Sequence, residues 1–184
     1  MKNEEEIKRV YIAGPEVCLP DAEEIGRRKK ALCADYGFIG LFPDDIKVDC
    51  GRLGEMAYNI YRGHVEMIHS AHIGICNLTP FRGESADTDT AFALGMLVGL
   101  QKQVFGYSHM VEDFKGSPPK DESRVYSSTE DLEPFRLIDS CLWFQGHLIL
   151  QRKVAWDQLF QSLSGFEACL REARAEEDKQ AGVV

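Results

Sequence analysis

The side chains best suited to chemistry gather in three short polar stretches of a 184-residue chain: Gly14–Pro20, Pro43–Asp49 and Thr79–Asp89. The third reads Thr79-Pro80-Phe81-Arg82-Gly83-Glu84-Ser85-Ala86-Asp87-Thr88-Asp89 and opens onto a small-residue, apolar segment, Thr90–Leu100. Carboxylates at such a mouth, here Asp87 and Asp89, are candidates for chemistry, but they are as often helix caps favoured by the N-terminal dipole. His64 titrates near neutral pH and is a candidate acid or base. His69 and His72 have a spacing that suits one metal ion, yet no third ligand is evident, so no metal is expected. Gly14 and Gly83 do not build a phosphate loop and no GxGxxG follows the first apolar run, so no dinucleotide, and no other cofactor, is expected.

These stretches need a scaffold that brings them to one place. Val10–Ala13, halted by Gly14-Pro15, reads as a short buried strand. Asp21 with Glu24 three residues on predicts a capped helix whose apolar face runs through Ala22, Ile25, Ala31, Leu32 and Cys33 to Tyr36 and Gly37. Phe38–Phe42 repeats the strand signal, and Met56–Ser70 carries Ile60, His64, Met67 and Ile68 at helical spacing. Ile73–Leu78, Thr90–Leu100 and Gln103–Tyr107 continue the alternation as strand, helix and strand. A charged, Ser- and Pro-rich surface excursion is expected over 108–131, then a fifth strand around Leu148. Val154, Leu159, Phe160, Leu163 and Phe166 predict a last amphipathic helix, followed by a frayed tail over 174–184. Residues 1–9 form a charged arm. Strands alternating with helices predict an α/β fold: one domain, 10–173, built on a doubly wound parallel sheet. Ligands in such sheets settle beyond the carboxyl ends of the strands, where the three polar stretches lie.

Composition narrows the partners. There are 21 Lys+Arg against 30 Asp+Glu, a net charge of −9, which disfavours a nucleic-acid polymer or an anionic membrane. Hydrophobic residues at 44% and charged residues at 28% are those of a globular chain. Six cysteines without a CxxC pair, and no leader-like N-terminal segment, lead us to expect reduced thiols in a cytoplasmic protein.

Four segments in order carry a resemblance: Val10-Tyr11-Ile12-Ala13-Gly14-Pro15-Glu16-Val17; Asp21 with Ile25-Gly26-Arg27-Arg28-Lys29-Lys30; Gly40-Leu41-Phe42-Pro43; and Asn77-Leu78-Thr79-Pro80-Phe81-Arg82-Gly83. Together they resemble the nucleoside 2-deoxyribosyltransferase family, from about Val10 to Tyr107. The resemblance implies a flavodoxin-like, Rossmann-like five-stranded parallel sheet and a homo-oligomer in which a neighbouring subunit helps close the site. It also implies base exchange on a deoxynucleoside, with nucleoside or nucleotide and free base as ligands. In that reaction a carboxylate attacks the anomeric carbon as the base leaves, and a second base reopens the glycosyl ester. By resemblance Tyr11 orients the nucleophile and Asp87 binds the sugar. Gly14, Pro15, Asn77, Pro80, Phe81, Arg82 and Gly83 shape the pocket, with Phe81 the candidate for stacking on the base. Ser140, in Phe135-x-Leu137-x-Asp139-Ser140, stands where the neighbour supplies an Asn.

The resemblance breaks where the reaction needs it most. The family pattern Asp-x-Gly-Thr-Ala-x-Glu-x-Gly is here Asp87-Thr88-Asp89-Thr90-Ala91-Phe92-Ala93-Leu94-Gly95, so the nucleophile position is Ala93. His64, His72 and Asp89 are further departures. Several together favour natural divergence over a single engineered change. Two readings follow: a binding protein that no longer exchanges bases, or an N-glycoside hydrolase relying on Asp89, one turn before Ala93, and His64.

Overall fold

The computed structural model describes residues 7–46, 52–82, 86–111 and 149–182. Strands β1 (Arg9–Ala13), β2 (Ile39–Leu41), β3 (Ile73–Asn77), β4 (Gln103–Val111) and β5 (Ile149–Val154) form one sheet in the order β2-β1-β3-β4-β5. All four pairings are parallel. The chain steps outward from β1 to β2, then returns across β1 to lay down β3, β4 and β5. Strand order thus reverses between β1 and β3, as the expected flavodoxin-like topology requires.

Helices α1 (Ala22–Asp35), α2 (Leu53–Ser70), α3 (Thr88–Gly99) and α4 (Ser164–Gln180) cover the two faces. The strands read as unbroken apolar runs because both of their faces are buried. Val10, Ile12, Ile75, Phe105 and Tyr107 turn toward Cys33 of α1 and Phe166, Cys169 and Leu170 of α4. Their neighbours in sequence, Tyr11, Ala13, Cys76 and Val104, turn the other way, onto Ile68 of α2 and Ala93, Leu94 and Leu97 of α3. Helix α2 is covered least. Ile68 is its one buried residue, and Leu53, Tyr58, Ile60 and Tyr61 are exposed, as is Phe92 on α3.

Several boundaries differ from the sequence expectations. Asp21 flanks α1 but makes no side-chain cap bond, its backbone at φ −104° and ψ 20° lying outside the extended conformation that a cap uses, and Glu24 pairs instead with Arg27 at 2.7 and 2.8 Å. β4 runs to Val111 rather than stopping at Tyr107, since β5 pairs with it from Gly106 to Val111. Val154 ends β5, and Leu159, Phe160 and Leu163 lie in the connection that follows, so the last helix starts only at Ser164. That helix continues to Gln180 through most of the segment expected to fray. Its Ala, Glu, Arg, Lys and Gln are strong helix formers, Arg174 pairs with Asp178 one turn on, and Glu177 meets Lys8 at 3.7 Å. Cys33, Cys76 and Cys169 are buried free thiols, and Cys18 is exposed. No described helix is long and apolar enough to cross a membrane. Gly83, Ser140 and most of the 108–131 excursion lie outside the described residues.

Candidate functional site

Alternation along β1 decides which polar groups meet at the β1/β3 reversal. Tyr11 points to the α2–α3 face, where its hydroxyl lies 2.8 Å from His64 Nδ1. The two rings stand edge to face with centroids 6.5 Å apart. Burial pushes the Tyr11 phenol well above its ordinary pKa, and the charge of Asp89 adds to the effect. The phenol therefore keeps its proton, and a neutral hydroxyl both donates and accepts, so the direction of this bond follows the His64 tautomer. Burial also holds the His64 pKa below its ordinary value, opposed by Asp89. The field of one carboxylate thus reaches both groups.

Ala93 shares the buried cluster of Tyr11, Ala13 and Cys76, at 5% exposure. No carboxylate occupies that position. Asp89, one helical turn earlier, is exposed in the first turn of α3. Asp87 is the N-cap of α3: its Oδ2 accepts from Thr90 N and from Thr90 Oγ1, each at 3.1 Å. The capping role left open by spacing is therefore present. Tyr11, His64, Asp89 and Ala93 are brought together, with Asp87 at the head of the same helix.

Asn77 goes to the other face. Its Nδ2 donates to Glu16 Oε1 at 2.7 Å, and its Oδ1 accepts from Thr79 N at 3.0 Å and Thr79 Oγ1 at 2.5 Å, so both ends are engaged. Pro80 and Arg82 are exposed, and Arg82 adopts a left-handed backbone with φ 53°. Phe81 meets Phe160 edge-on, centroids 5.6 Å apart, with the Arg82 guanidinium carbon 4.9 Å from its centroid. Gly14 and Pro15 are buried. A Cβ on Gly14 would lie 1.9 Å from Glu16 Oε2, so close approach of that carboxylate, not backbone angle, demands glycine.

Glu16 and Lys29 were not singled out from the sequence. Lys29 Nζ, fully buried, donates to Glu16 Oε1 at 2.7 Å and to the Tyr107 hydroxyl at 3.1 Å. Tyr107 donates in turn to Glu16 Oε1 at 3.3 Å. Glu16 Oε2 is the buried side-chain oxygen without a hydrogen-bond partner among the described residues. One signal was available: Ile25, Lys29 and Cys33 recur every four residues, which puts a lysine on the buried stripe of α1. His72 Nδ1 accepts from Arg9 N at 3.1 Å, and no group of three metal-ligating side chains occurs among the described residues. A depression of about 680 Å³, lined by Lys8, His72, Gln101, Lys102, Gln103 and Glu177 among others, opens at the opposite end of the strands.

Strand order reverses between β1 and β3, the place where doubly wound α/β domains generally take their ligands, and the Tyr11–His64 pair lies on the strand and helix beside it. The family profile for nucleoside 2-deoxyribosyltransferase matches residues 10–149, and the chain belongs to that family. A 2-desoxiribosyltransferase from Leishmania mexicana is 32% identical over 55% of this chain and 64% of its own, with a TM-score of 0.45. The match thus spans less than two thirds of that enzyme's length. A 2-deoxyribosyltransferase from Bacillus psychrosaccharolyticus is 21% identical over 54% of this chain and 72% of that one, TM-score 0.44. A conserved protein from Enterococcus faecalis V583 is 12% identical over 91% and 99%, TM-score 0.48. No curated protein matches the sequence.

Proposed function

We propose that the chain binds a nucleoside or nucleotide, ribo or deoxy, at the β1/β3 crevice, and that base exchange is suppressed because residue 93 is alanine. The observation that carries this reading is the Ala93 methyl buried in the same apolar cluster as Tyr11. Exchange through a glycosyl ester needs a carboxylate there, and a methyl group forms no bond to the anomeric carbon. The binding part of the reading draws on groups with valences to spare. Among the described residues no hydrogen bond engages His64 Nε2 or Asp87 Oδ1, which suits the first to a base and the second to a sugar hydroxyl while Oδ2 caps α3. A second copy covering the exposed Leu53, Tyr58, Ile60, Tyr61 and Phe92 would complete the homo-oligomer that the family implies.

One observation favours a second reading, N-glycoside hydrolysis. Supporting it, Asp89 opens α3 one turn before Ala93, close enough for its charge to be felt at both Tyr11 and His64. Water would then attack the anomeric carbon as the carbon–nitrogen bond breaks, with Asp89 taking the water's proton and the imidazolium form of His64 giving one to the departing base.

The test is incubation with a deoxynucleoside and a free acceptor base, for the wild type and Ala93→Glu, with nucleoside affinity measured alongside. Exchange by the wild type is expected to be lower than by a rescued Ala93→Glu variant by a factor of about 10³ or more. Brisk wild-type exchange would sink the assignment of position 93. A silent Ala93→Glu that still binds nucleoside points to divergence at several positions. Free base released without an acceptor selects the hydrolase reading.

A further inference from the structure

His109, near the carboxyl end of β4, belongs to none of the roles above, yet it is 3% exposed and fully bonded. Its ring Nδ1 lies 2.8 Å from the Leu159 carbonyl oxygen, which only accepts, so Nδ1 carries the proton. Its Nε2 accepts from Gly165 N at 3.2 Å, at the start of α4. The ring is therefore a neutral imidazole in one defined tautomer. A Cβ on Gly165 would lie 2.8 Å from Nε2 and 2.4 Å from the Tyr107 ring, so the α4 start is seated tightly against both. The backbone N–H of His109 donates to Thr79 Oγ1 at 2.9 Å, and Thr79 is bonded on to Asn77 and so to Glu16. Residues 79–82 and 159–165 meet a second time through the edge-on Phe81–Phe160 pair.

We infer that His109 is a positioning residue: its backbone N–H holds Thr79 of the loop 79–82 while its neutral imidazole holds Leu159 and Gly165 of the connection 159–165, which fixes the wall against which a ligand settles. Protonating Nε2 would set an N–H against the Gly165 N–H and move the 159–165 connection, and Phe160 with it, away from Phe81. Burial lowers the His109 pKa, chiefly by desolvation. Of the charged groups around the ring, Glu16 from the β1 loop favours the proton and Lys29 from α1 opposes it. The N-terminal end of α4 also opposes it, and exposed Arg152 on β5 lies in register with His109. The ligand part of this inference rests on the nucleoside-binding reading above.

The experiment is residue-resolved amide hydrogen exchange, corrected for intrinsic rates, on wild type, His109→Gln and His64→Gln at pH 7.5 and near pH 5. In the wild type, acid is expected to speed exchange of Gly165 and of Thr79, Phe81 and Arg82 together by about five- to tenfold, the loss of roughly one hydrogen bond. His109→Gln, whose amide oxygen takes the Gly165 N–H without titrating, should be insensitive to that change, while His64→Gln should respond like the wild type. Acceleration at Gly165 with residues 79–82 unmoved would overturn the inference, as would a response abolished by His64→Gln instead. Nucleoside affinity, measured by calorimetry on the same proteins, should weaken with acid in the wild type and not in His109→Gln. Failure of every nucleoside to bind would remove the binding reading and leave the exchange data to decide the role of His109.

Discussion

The two faces of the sheet hold polar groups in opposite conditions, although the same strand, β1, feeds both. Toward α1 and α4, Glu16 and Lys29 are sealed at 1% and 0% exposure, and Asn77 and Tyr107 close around them. Toward α2 and α3, the Tyr11–His64 pair sits beneath a helix that is largely exposed, with Asp89 open to water. The difference separates two uses of polar side chains. The sealed set has almost all of its valences filled by the protein, which suits it to holding the β1 loop in place. Among the described residues, the open set leaves His64 Nε2, Asp89 and one Asp87 oxygen without hydrogen bonds, as a binding surface requires.

The comparison is broken most forcefully at Lys29. Lys29→Met would leave the Glu16 carboxylate buried without its counter-charge, and removing one partner of a buried pair costs about 3–5 kcal/mol. Urea unfolding should show that loss, and Glu16→Gln added to Lys29→Met should recover much of it, because the stranded charge is then gone. A loss below about 1 kcal/mol would mean that water reaches the pair and the face is not sealed. Asp87→Ala comes next. It removes both bonds to Thr90 and should cost about 1 kcal/mol. Its effect on nucleoside affinity sharpens the contrast: affinity lost beyond the stability change marks Asp87 as a sugar contact, and none marks it as a cap alone.

The sheet was legible in the sequence because strands buried on both faces are unbroken apolar runs between Gly and Pro stops, as at Val10–Ala13 and Ile73–Leu78. The end of the chain was less so. Val154, Leu159 and Phe160 mimic a helical period while serving a strand end and a loop, and the charged residues of 174–180 hide a helix held by Ala173 and by Arg174–Asp178. Within the site, Tyr11, His64 and Asp89 could each be named, but their meeting depends on which way β1 alternates and where α2 lies, and neither is a local property. Asp87 was readable as either cap or ligand, and as built it is a cap whose Oδ1 meets no partner among the described residues. Glu16 escaped notice because a carboxylate in a loop reads as solvated until the buried lysine that needs it is placed.

The smallest expected effect is at Tyr11–His64, where a single hydrogen bond between partly buried groups is at stake. Tyr11→Phe should cost about 0.5–1.5 kcal/mol, and His64→Gln no more. Their signature lies in pH instead. His64 and His109 both have pKa values held below the ordinary value of about 6.5, so the unfolded chain binds more protons than the folded one as pH falls through that value. Stability contributed by the two neutral rings is therefore full above about pH 6.5 and declines below it, levelling off only beneath the folded-state pKa values. Urea midpoints between pH 8 and 5 should show this decline in the wild type and a shallower one in His64→Gln. Adding His109→Gln should make it shallower still. If His64→Gln leaves the slope unchanged, Asp89 offsets the burial of His64 fully, and the open face is wetter than its exposure implies.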